Sequence, residues 1–503
     1  MSEENYPATI RQLWKNRINS TPDKVFLVEN RNHYTYLDID KRVDKKVEEL
    51  RQFKVKPGDI IALQFELDLE NFITILACIK LKTVINPLNP HLDIDEAKDL
   101  VNRFKPYLII AQKAPRGRDT FYSVDNLTNY DLETTGDCKI FINHDHTKNF
   151  TEEFDSAESP IVILNTSGTT GAVKGVVLTN KNVLSAEYAY NKAFKITNED
   201  MILMSSGLYH AIGFHHGLIS TIMAGSSIAI LRHYNVDKIA EIIKNEPVTF
   251  IDSVPTVIYD ILFRIKDLGH LKQLLAGGDK LRDDLLRQAD KRGIPVYNCY
   301  GSTEAVPFSY TPSDYFEEKN HMTTALKPME GIEVRLVVHG QTITSSNVEG
   351  TIQVKGPEIF KEYLFNPEKT KSSFDGEWFD TGDYGHYNYD KMLEIDGRNS
   401  DKIIRGGENI SAAEVEEKVR NCDNIKEVAV LGIPDVRLGQ RIGAFISLKD
   451  KKQQLTKQKL IAELTKNKTD KKFWPERIWI VDSLPKTANG KIKKYILKQK
   501  VEG

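Results

Sequence analysis

Thr166-Ser167-Gly168-Thr169-Thr170-Gly171-Ala172-Val173-Lys174-Gly175 is a run of ten residues in which all side chains are small or hydroxylic except one valine and one lysine. Gly168, Gly171 and Gly175 free the backbone for positive φ and close approach to a ligand, four hydroxyls and uncovered N–H groups can donate to phosphate oxygens, and Lys174 adds a mobile charge. A Walker A loop is excluded, because that motif puts glycine before its lysine and Ser or Thr after it, whereas Lys174 stands between Val173 and Gly175. The flanks, Ile161-Val162-Ile163-Leu164 and Val176-Val177-Leu178, are apolar and rich in β-branched residues, so the loop joins strand to strand. Taken alone, the stretch reads either as a phosphate cradle or as a flexible Gly/Thr turn.

Around this loop lies a chain of 503 residues, 40% of them hydrophobic, enough for one large α/β domain and a smaller one. Its 69 basic and 71 acidic side chains nearly cancel, which removes the field that a nucleic-acid-binding protein needs. The basic last fifty residues read as a solvated face. Cys78, Cys138, Cys299 and Cys422 are scattered without a CxxC pair, against zinc and against a disulfide framework, and a reducing cytoplasm is the expected home. The N-terminus lacks a secretory pattern. The longest apolar stretch, Gly217 to Leu231, has fifteen residues and four Ser/Thr, so stable membrane insertion is not expected.

Strand and helix patterns alternate through the first two thirds: Ile60 to Leu63 then Leu69 to Lys82, Ser227 to Leu231 then Val236 to Lys244, Thr249 to Ile251 then Thr256 to Ile265. That alternation predicts an α/β fold of sheets covered by helices. After about residue 330 come closely spaced strands, Ile332 to Val338, Gly350 to Val354 and Met392 to Ile395, with turns at Asp375-Gly376 and Asp396-Gly397. A last unit holds helix Ala412 to Arg420, strands Val428 to Gly432 and Ala444 to Leu448, helix Thr456 to Thr465 and strand Arg477 to Val481. The expected division is a large domain over 1–398, whose β-rich part covers about 330–398, and a small mobile α+β domain over 399–503.

Four more motifs follow the loop. Tyr300-Gly301-Ser302-Thr303-Glu304 reads as a strand ending in a glycine turn, with Tyr300 placed to stack on a base and Glu304 to meet a hard cation. Trp378-Phe379-Asp380-Thr381-Gly382-Asp383 reads as a tight turn whose carboxylate suits ribose hydroxyls. Gly397-Arg398-Asn399-Ser400-Asp401 leads into Ile404-Arg405-Gly406-Gly407-Glu408-Asn409, and Leu484-Pro485-Lys486-Thr487-Ala488-Asn489-Gly490-Lys491 closes the series. Singly, each is equally an edge turn, a hairpin or a surface lysine. His210, His215 and His216 on one segment also raise a metal reading, disfavoured because no acidic or cysteine partner lies near in sequence.

Together and in this order the five motifs resemble the AMP-forming adenylating enzymes, the superfamily of acyl-CoA synthetases, peptide-synthetase adenylation domains and firefly luciferase. The resemblance runs from Thr35-Tyr36-Leu37 to Lys491. It implies that Thr166, Ser167, Gly168, Thr169, Thr170, Gly171 and Lys174 hold the β/γ-phosphates of ATP. It implies that Gly277, Gly278 and Asp279 with Tyr300 and Gly301 form the adenine slot, that Thr303 meets the α-phosphate, and that Glu304 holds Mg²⁺. Asp383 and Arg398 are implied at the ribose, His210 at the acid's carboxylate, Lys491 at the reacting oxygens, Ser400 at a hinge, and Gly406 and Gly407 on the CoA path. Gly207 stands where the family has proline, Gln440 where it has Glu, and Ser400 where Asp or Lys is common.

The resemblance thus implies a ligase that joins a carboxylic acid to CoA through an acyl-adenylate, with ATP and Mg²⁺ required and a homodimer compatible with it. The positions between His210 and Gly217, around Leu274 to Gly277 and at Ala305 to Pro307 are mostly small or apolar, which favours a medium- or long-chain fatty acid. An aryl, short branched or carnitine/crotonobetaine-type acid is the alternative, since Phe360-Lys361-Glu362-Tyr363 and the Arg-Gly-Gly-Glu-Asn segment also resemble betaine CoA ligases. A stand-alone enzyme that loads a carrier protein shares the first half-reaction.

Because Lys491 is assigned to adenylation alone, Lys491→Ala is expected to slow acyl-adenylate formation by about 10² to 10³. It should spare thioester formation from a supplied acyl-adenylate. Equal damage in the two separately assayed half-reactions refutes the assignment.

Overall fold

The computed structural model describes residues 7–92, 94–113, 121–144, 150, 154–167, 173–278, 281–398, 401–405, 408–486 and 492–502. The chain divides into two compact units: the first has the described residues of Met1–Thr166, Val173–Val334 and Val354–Phe379, and the second those of Ser167–Ala172, Arg335–Gln353 and Asp380–Gly503. The fold is mixed α/β, with two large sheets covered by helices in the first unit, as the alternating pattern predicts.

The first sheet orders its nine strands as Lys327–Pro328, Ala305–Tyr310, Val296–Ser302, Gln273–Gly277, Phe250–Ser253, Met201–Met204, Ser227–Ile230, Val25–Glu29 and Asn32–Thr35. From Val296–Ser302 across to Val25–Glu29 every neighbouring pair is parallel. Parallel strands need covered faces, and their composition obeys: Met201–Met204, Ser227–Ile230 and Phe250–Ser253 are buried at every position. The second sheet runs Glu362–Tyr363, Val173–Thr179, Pro160–Ser167, Val84–Leu88, Ile60–Gln64, Leu108–Gln112, Cys138–Asn143 and Tyr130–Thr135. Helix Leu69–Lys80, capped by Asp68 accepting from the Asn71 N–H, is buried from Asn71 to Ile79, as an element covered on both sides must be. Its Phe72 ring sits 6.4 Å from Phe26 of the first sheet.

In the second unit, strand Ile425–Asp435 alternates between two cores. Val428 and Val430 pack with Val415, Val419, Ile442 and Leu460, while Ala429, Leu431 and Ile433 face Phe445, Leu484 and Leu497. Helix Ala412–Arg420 has the bounds read from sequence, and helix Lys457–Lys466 starts one residue later than expected, behind Thr456, which caps it.

Two turn readings are corrected. Trp378-Phe379-Asp380-Thr381-Gly382-Asp383 lies inside strand Trp378–Tyr387, and the tightness is confined to Gly382, at φ +72, whose N–H donates to Asp380 Oδ1 at 2.8 Å. Asp396-Gly397 belongs to strand Leu393–Arg398, where Gly397 pairs with Tyr384. In both, a Gly-Asp signal marks a distortion within a strand, which local propensity does not separate from a turn.

The hairpin Val296–Ser302/Ala305–Tyr310 is tightest at Gly301, where an added Cβ would lie 2.6 Å from the Ala305 carbonyl oxygen and 2.9 Å from Pro307 Cα. Both obstacles are backbone and cannot swing away. Gly301→Ala is therefore expected to lower stability by about 1–3 kcal/mol, read as a lower denaturant midpoint at unchanged m-value. A midpoint equal to wild type contradicts the packing.

Candidate active site

Strands Met201–Met204, Phe250–Ser253, Gln273–Gly277 and Val296–Ser302 lie side by side and parallel, so the residues after each emerge along one edge of the sheet. That edge carries the segment to His210, then Val254, Gly278 and the Thr303-Glu304 turn. Carboxyl ends of parallel strands are where α/β sheets bind ligands. Three segments singled out in the sequence, the one to His210, Gly277-Gly278 and the Tyr300 motif, are brought together here from far apart along the chain. Gly277 pairs with Cys299, whose Sγ would lie 2.9 Å from an added Cβ, and Gly278 turns at φ +85. Tyr300 packs edge-on against Phe308, centroids 4.8 Å apart, which sets the plane of its ring. The strand of the Tyr300 motif continues to Ser302 and turns at Thr303-Glu304, two residues later than the glycine suggests.

A strap from Pro357 to Leu364 joins this edge to strand Val173–Thr179, which follows the glycine-rich loop. The Phe360 N–H donates to the Glu304 carbonyl (2.9 Å), the Lys361 N–H to Val177 (2.9 Å) and the Leu364 N–H to Gly175 (2.8 Å). Asn182 Nδ2 holds the Pro357 and Ile359 carbonyls at 2.8 Å each. In the strap, Glu362 and Tyr363 pair with Val177 and Val176. The Tyr363 hydroxyl donates to Glu304 Oε1 at 2.7 Å, and Lys174 Nζ lies 4.8 Å from the centre of the same ring. Burial and the Glu304 carboxylate hold the Tyr363 phenol above its ordinary range, so it remains a donor. Glu304 is 8% exposed and its Oε2 takes no hydrogen bond from a described residue. A carboxylate oxygen left over in this way fits a hard divalent cation such as Mg²⁺.

His210 stands just before a π-helix: the Phe214 N–H closes one ordinary i→i+4 turn onto its carbonyl at 2.9 Å, and Ile212–Ile219 follow as π-helix. π-Helical turns are rare and frequent at functional sites. Here consecutive residues reach one acid, with His215 Nδ1 3.1 Å and His216 Nδ1 3.3 Å from Glu187 Oε1. His216 also stacks on Tyr190 at 4.0 Å, and the Tyr190 hydroxyl donates to Asp252 Oδ2 at 2.8 Å. Burial would raise the Glu187 carboxyl, but the two imidazoles more than offset it and leave it below its ordinary value. Burial opposes a charged His216, yet Glu187 and Asp252 hold it above its ordinary value, while burial keeps His215 below. Asp252 is pushed by burial up to about 6. The segment from His210 to Gly217, apolar or small by sequence pattern, thus supplies two imidazoles to a buried acid–imidazole network. Its acidic partner, Glu187, lies on helix Asn180–Ala193, and no local pattern announced it.

Asp383 and Arg398 belong to the second unit and are brought together: they face each other across neighbouring strands, Arg398 Nε 3.3 Å from Asp383 Oδ1. Gly168, Thr169, Thr170, Gly171, Asp279, Ser400, Gly406, Gly407 and Lys491 lie outside the described residues, as does the Ser167 side chain. The flanks of Lys491 are defined: Lys486 and Ile492 form an antiparallel bridge, the Lys493 N–H donates to Pro485 at 2.8 Å, and Lys494 Nζ contacts Glu416 (2.9 Å) and Asp401 (3.0 Å). No helix among the described residues is long and apolar enough to cross a membrane.

Comparison with known proteins agrees with this architecture. The AMP-binding enzyme family model matches residues 14–364, and that of the AMP-binding enzyme C-terminal domain matches 414–491. The chain belongs to the AMP-binding enzyme family. It is 28% identical to the medium-chain fatty-acid–CoA ligase of Escherichia coli (strain K12), over 98% of this chain and 90% of that protein. It is 27% identical to the oxalate–CoA ligase of Arabidopsis thaliana, over 98% of each. Among solved structures, the O-succinylbenzoate coenzyme A synthetase of Bacillus subtilis, in complex with ATP and magnesium ion, shares the fold with TM-score 0.82 at 23% identity, over 99% of this chain and 100% of that one.

The network around Glu187 has a definite pH signature. A histidine raised on folding contributes stability that is fully present below its unfolded value, about 6.5, and is lost as pH rises through the folded value. The stability gap between wild type and His216→Gln, from denaturant midpoints, should therefore be widest near pH 6 and narrow above it. A gap that widens from pH 6 to 9 contradicts a charged His216 facing Glu187, Asp252, Tyr190 and His215.

Proposed function

We propose that this chain is an AMP-forming acid–CoA ligase. The observation that carries the reading is the Glu304–Tyr363–Lys174 group: a carboxylate with one oxygen to spare and an ammonium, fixed by one ring at the edge where parallel strands end. The curated relatives named above are CoA ligases, and the solved relative holds ATP and magnesium, which supports ATP, Mg²⁺ and CoA as the requirements here. Thr166 to Lys174 hold the terminal phosphates, Thr303 the α-phosphate and Glu304 a cation. When bound, Mg²⁺ offsets phosphate charge. The acid's carboxylate oxygen attacks the α-phosphorus and pyrophosphate leaves with the electrons of the broken P–O bond. CoA thiolate then attacks the acyl carbonyl and AMP leaves. Lys491 acts in the first step, Gly406 and Gly407 border the thiol in the second, and residues 399–503 turn at Ser400 between them.

The acid is proposed to be a medium- or long-chain fatty acid, which the apolar positions at Leu274 to Gly277 and Ala305 to Pro307 support. The buried network of Glu187, His215, His216 and Asp252 favours a second reading, an acid with a polar group in its body. Pyrophosphate exchange into ATP across straight-chain, hydroxylated, aryl, dicarboxylic and betaine acids, repeated with CoA to look for thioester, distinguishes them. Exchange that depends on an acid, followed by thioester, is expected; exchange with no acid dependence, or acyl transfer to a carrier protein but not to CoA, overturns the ligase reading.

A further inference from the structure

We propose that Tyr363 is the positioning residue of the nucleotide site: its hydroxyl fixes Glu304 and its ring face fixes Lys174, so that Glu304 Oε2 is presented to the divalent cation that accompanies a nucleoside triphosphate. The inference rests on the nucleotide-binding part of the ligase reading and assigns to a residue outside the five motifs the task of setting the geometry of two of them.

The observations converge on one side chain. Tyr363 is 3% exposed and its backbone is anchored on several sides: it pairs with Val176, its N–H donates to Thr370 Oγ1 at 3.0 Å, and its carbonyl accepts from the Asn366 N–H at 3.0 Å. The ring packs on Phe360 at 4.7 Å. Its hydroxyl has little freedom and meets Glu304 Oε1 at 2.7 Å. A neutral donor on one oxygen orients a carboxylate without neutralising it, leaving its charge to the metal. Loss of a partner of this kind, one bond removed from the metal, typically costs about 10- to 100-fold in metal affinity. Lys174 at 4.8 Å from the ring centre is within the range where an ammonium is attracted to an aromatic face. The two contacts use different parts of the ring and are separable: Tyr363→Phe removes the hydroxyl and keeps the face, and Tyr363→Leu removes both.

The test is a binding measurement with no acid present, so that no turnover enters. Mn²⁺ is titrated into full-length protein saturated with the β,γ-imido analogue of ATP, and free Mn²⁺ is read by electron paramagnetic resonance. Analogue affinity without divalent metal is measured by calorimetry, and thermal midpoints are recorded for each variant. Tyr363→Phe should weaken Mn²⁺ binding about 10-fold or more and leave metal-free analogue affinity unchanged, whereas Tyr363→Leu should weaken both. Glu304→Gln should weaken Mn²⁺ binding too, and adding Tyr363→Phe to it should cost little more. Mn²⁺ affinity equal to wild type in both folded Tyr363 variants, with only the thermal midpoint lowered, overturns the positioning role. Wild-type protein that binds neither analogue nor Mn²⁺ overturns instead the nucleotide-site reading on which it rests.

Discussion

Glu304 is a carboxylate almost wholly withdrawn from water, and a buried charge is tolerated only where hydrogen bonds or counter-charges replace its hydration. The Tyr363 hydroxyl meets that demand, and Tyr363 is where it is because the strap pairs with the outer strand of the second sheet while Phe360 binds the backbone of the Glu304 turn. One short segment therefore sets the distance between the strand that continues from the glycine-rich loop and the edge of the first sheet. The site follows from how two sheets are tied, more than from any one motif.

The strand–helix alternation carried the sheets, and parallel pairing explains why His210, Gly278 and Glu304 share an edge although 94 residues separate the first from the last. That follows from topology and is absent from local pattern. Helix Ala412–Arg420 was legible to the residue because Ser411 caps it and its apolar positions recur with helical period. What escaped was of two kinds. Gly382 and Gly397 announce turns but sit in strands, since glycine and aspartate serve a bulge as readily as a reversal. Glu187 and Tyr363 gain their meaning from partners 28 and 59 residues away, and separations of that kind leave no periodicity to detect.

The network around Glu187 shows how a π-helix changes what neighbours can do. His215 and His216 both converge on a single acid whose helix lies beneath them. Buried polar networks of this type are costly when incomplete and specific when complete. They also mark where a core departs from the plain hydrophobic packing that composition alone leads one to expect.

Lys494, three residues past Lys491, contacts both Glu416 and Asp401, and Asp401 is the residue after Ser400. The first and last stretches of the proposed mobile domain are thus clamped to each other at its root. If residues 399–503 turn at Ser400 as proposed, the stretch from Ile492 onward would be carried round with Asp401, as a crank carries its handle. Weakening the ion pairs of Lys494 would then loosen the link between the two ends of that domain without touching Lys491 itself.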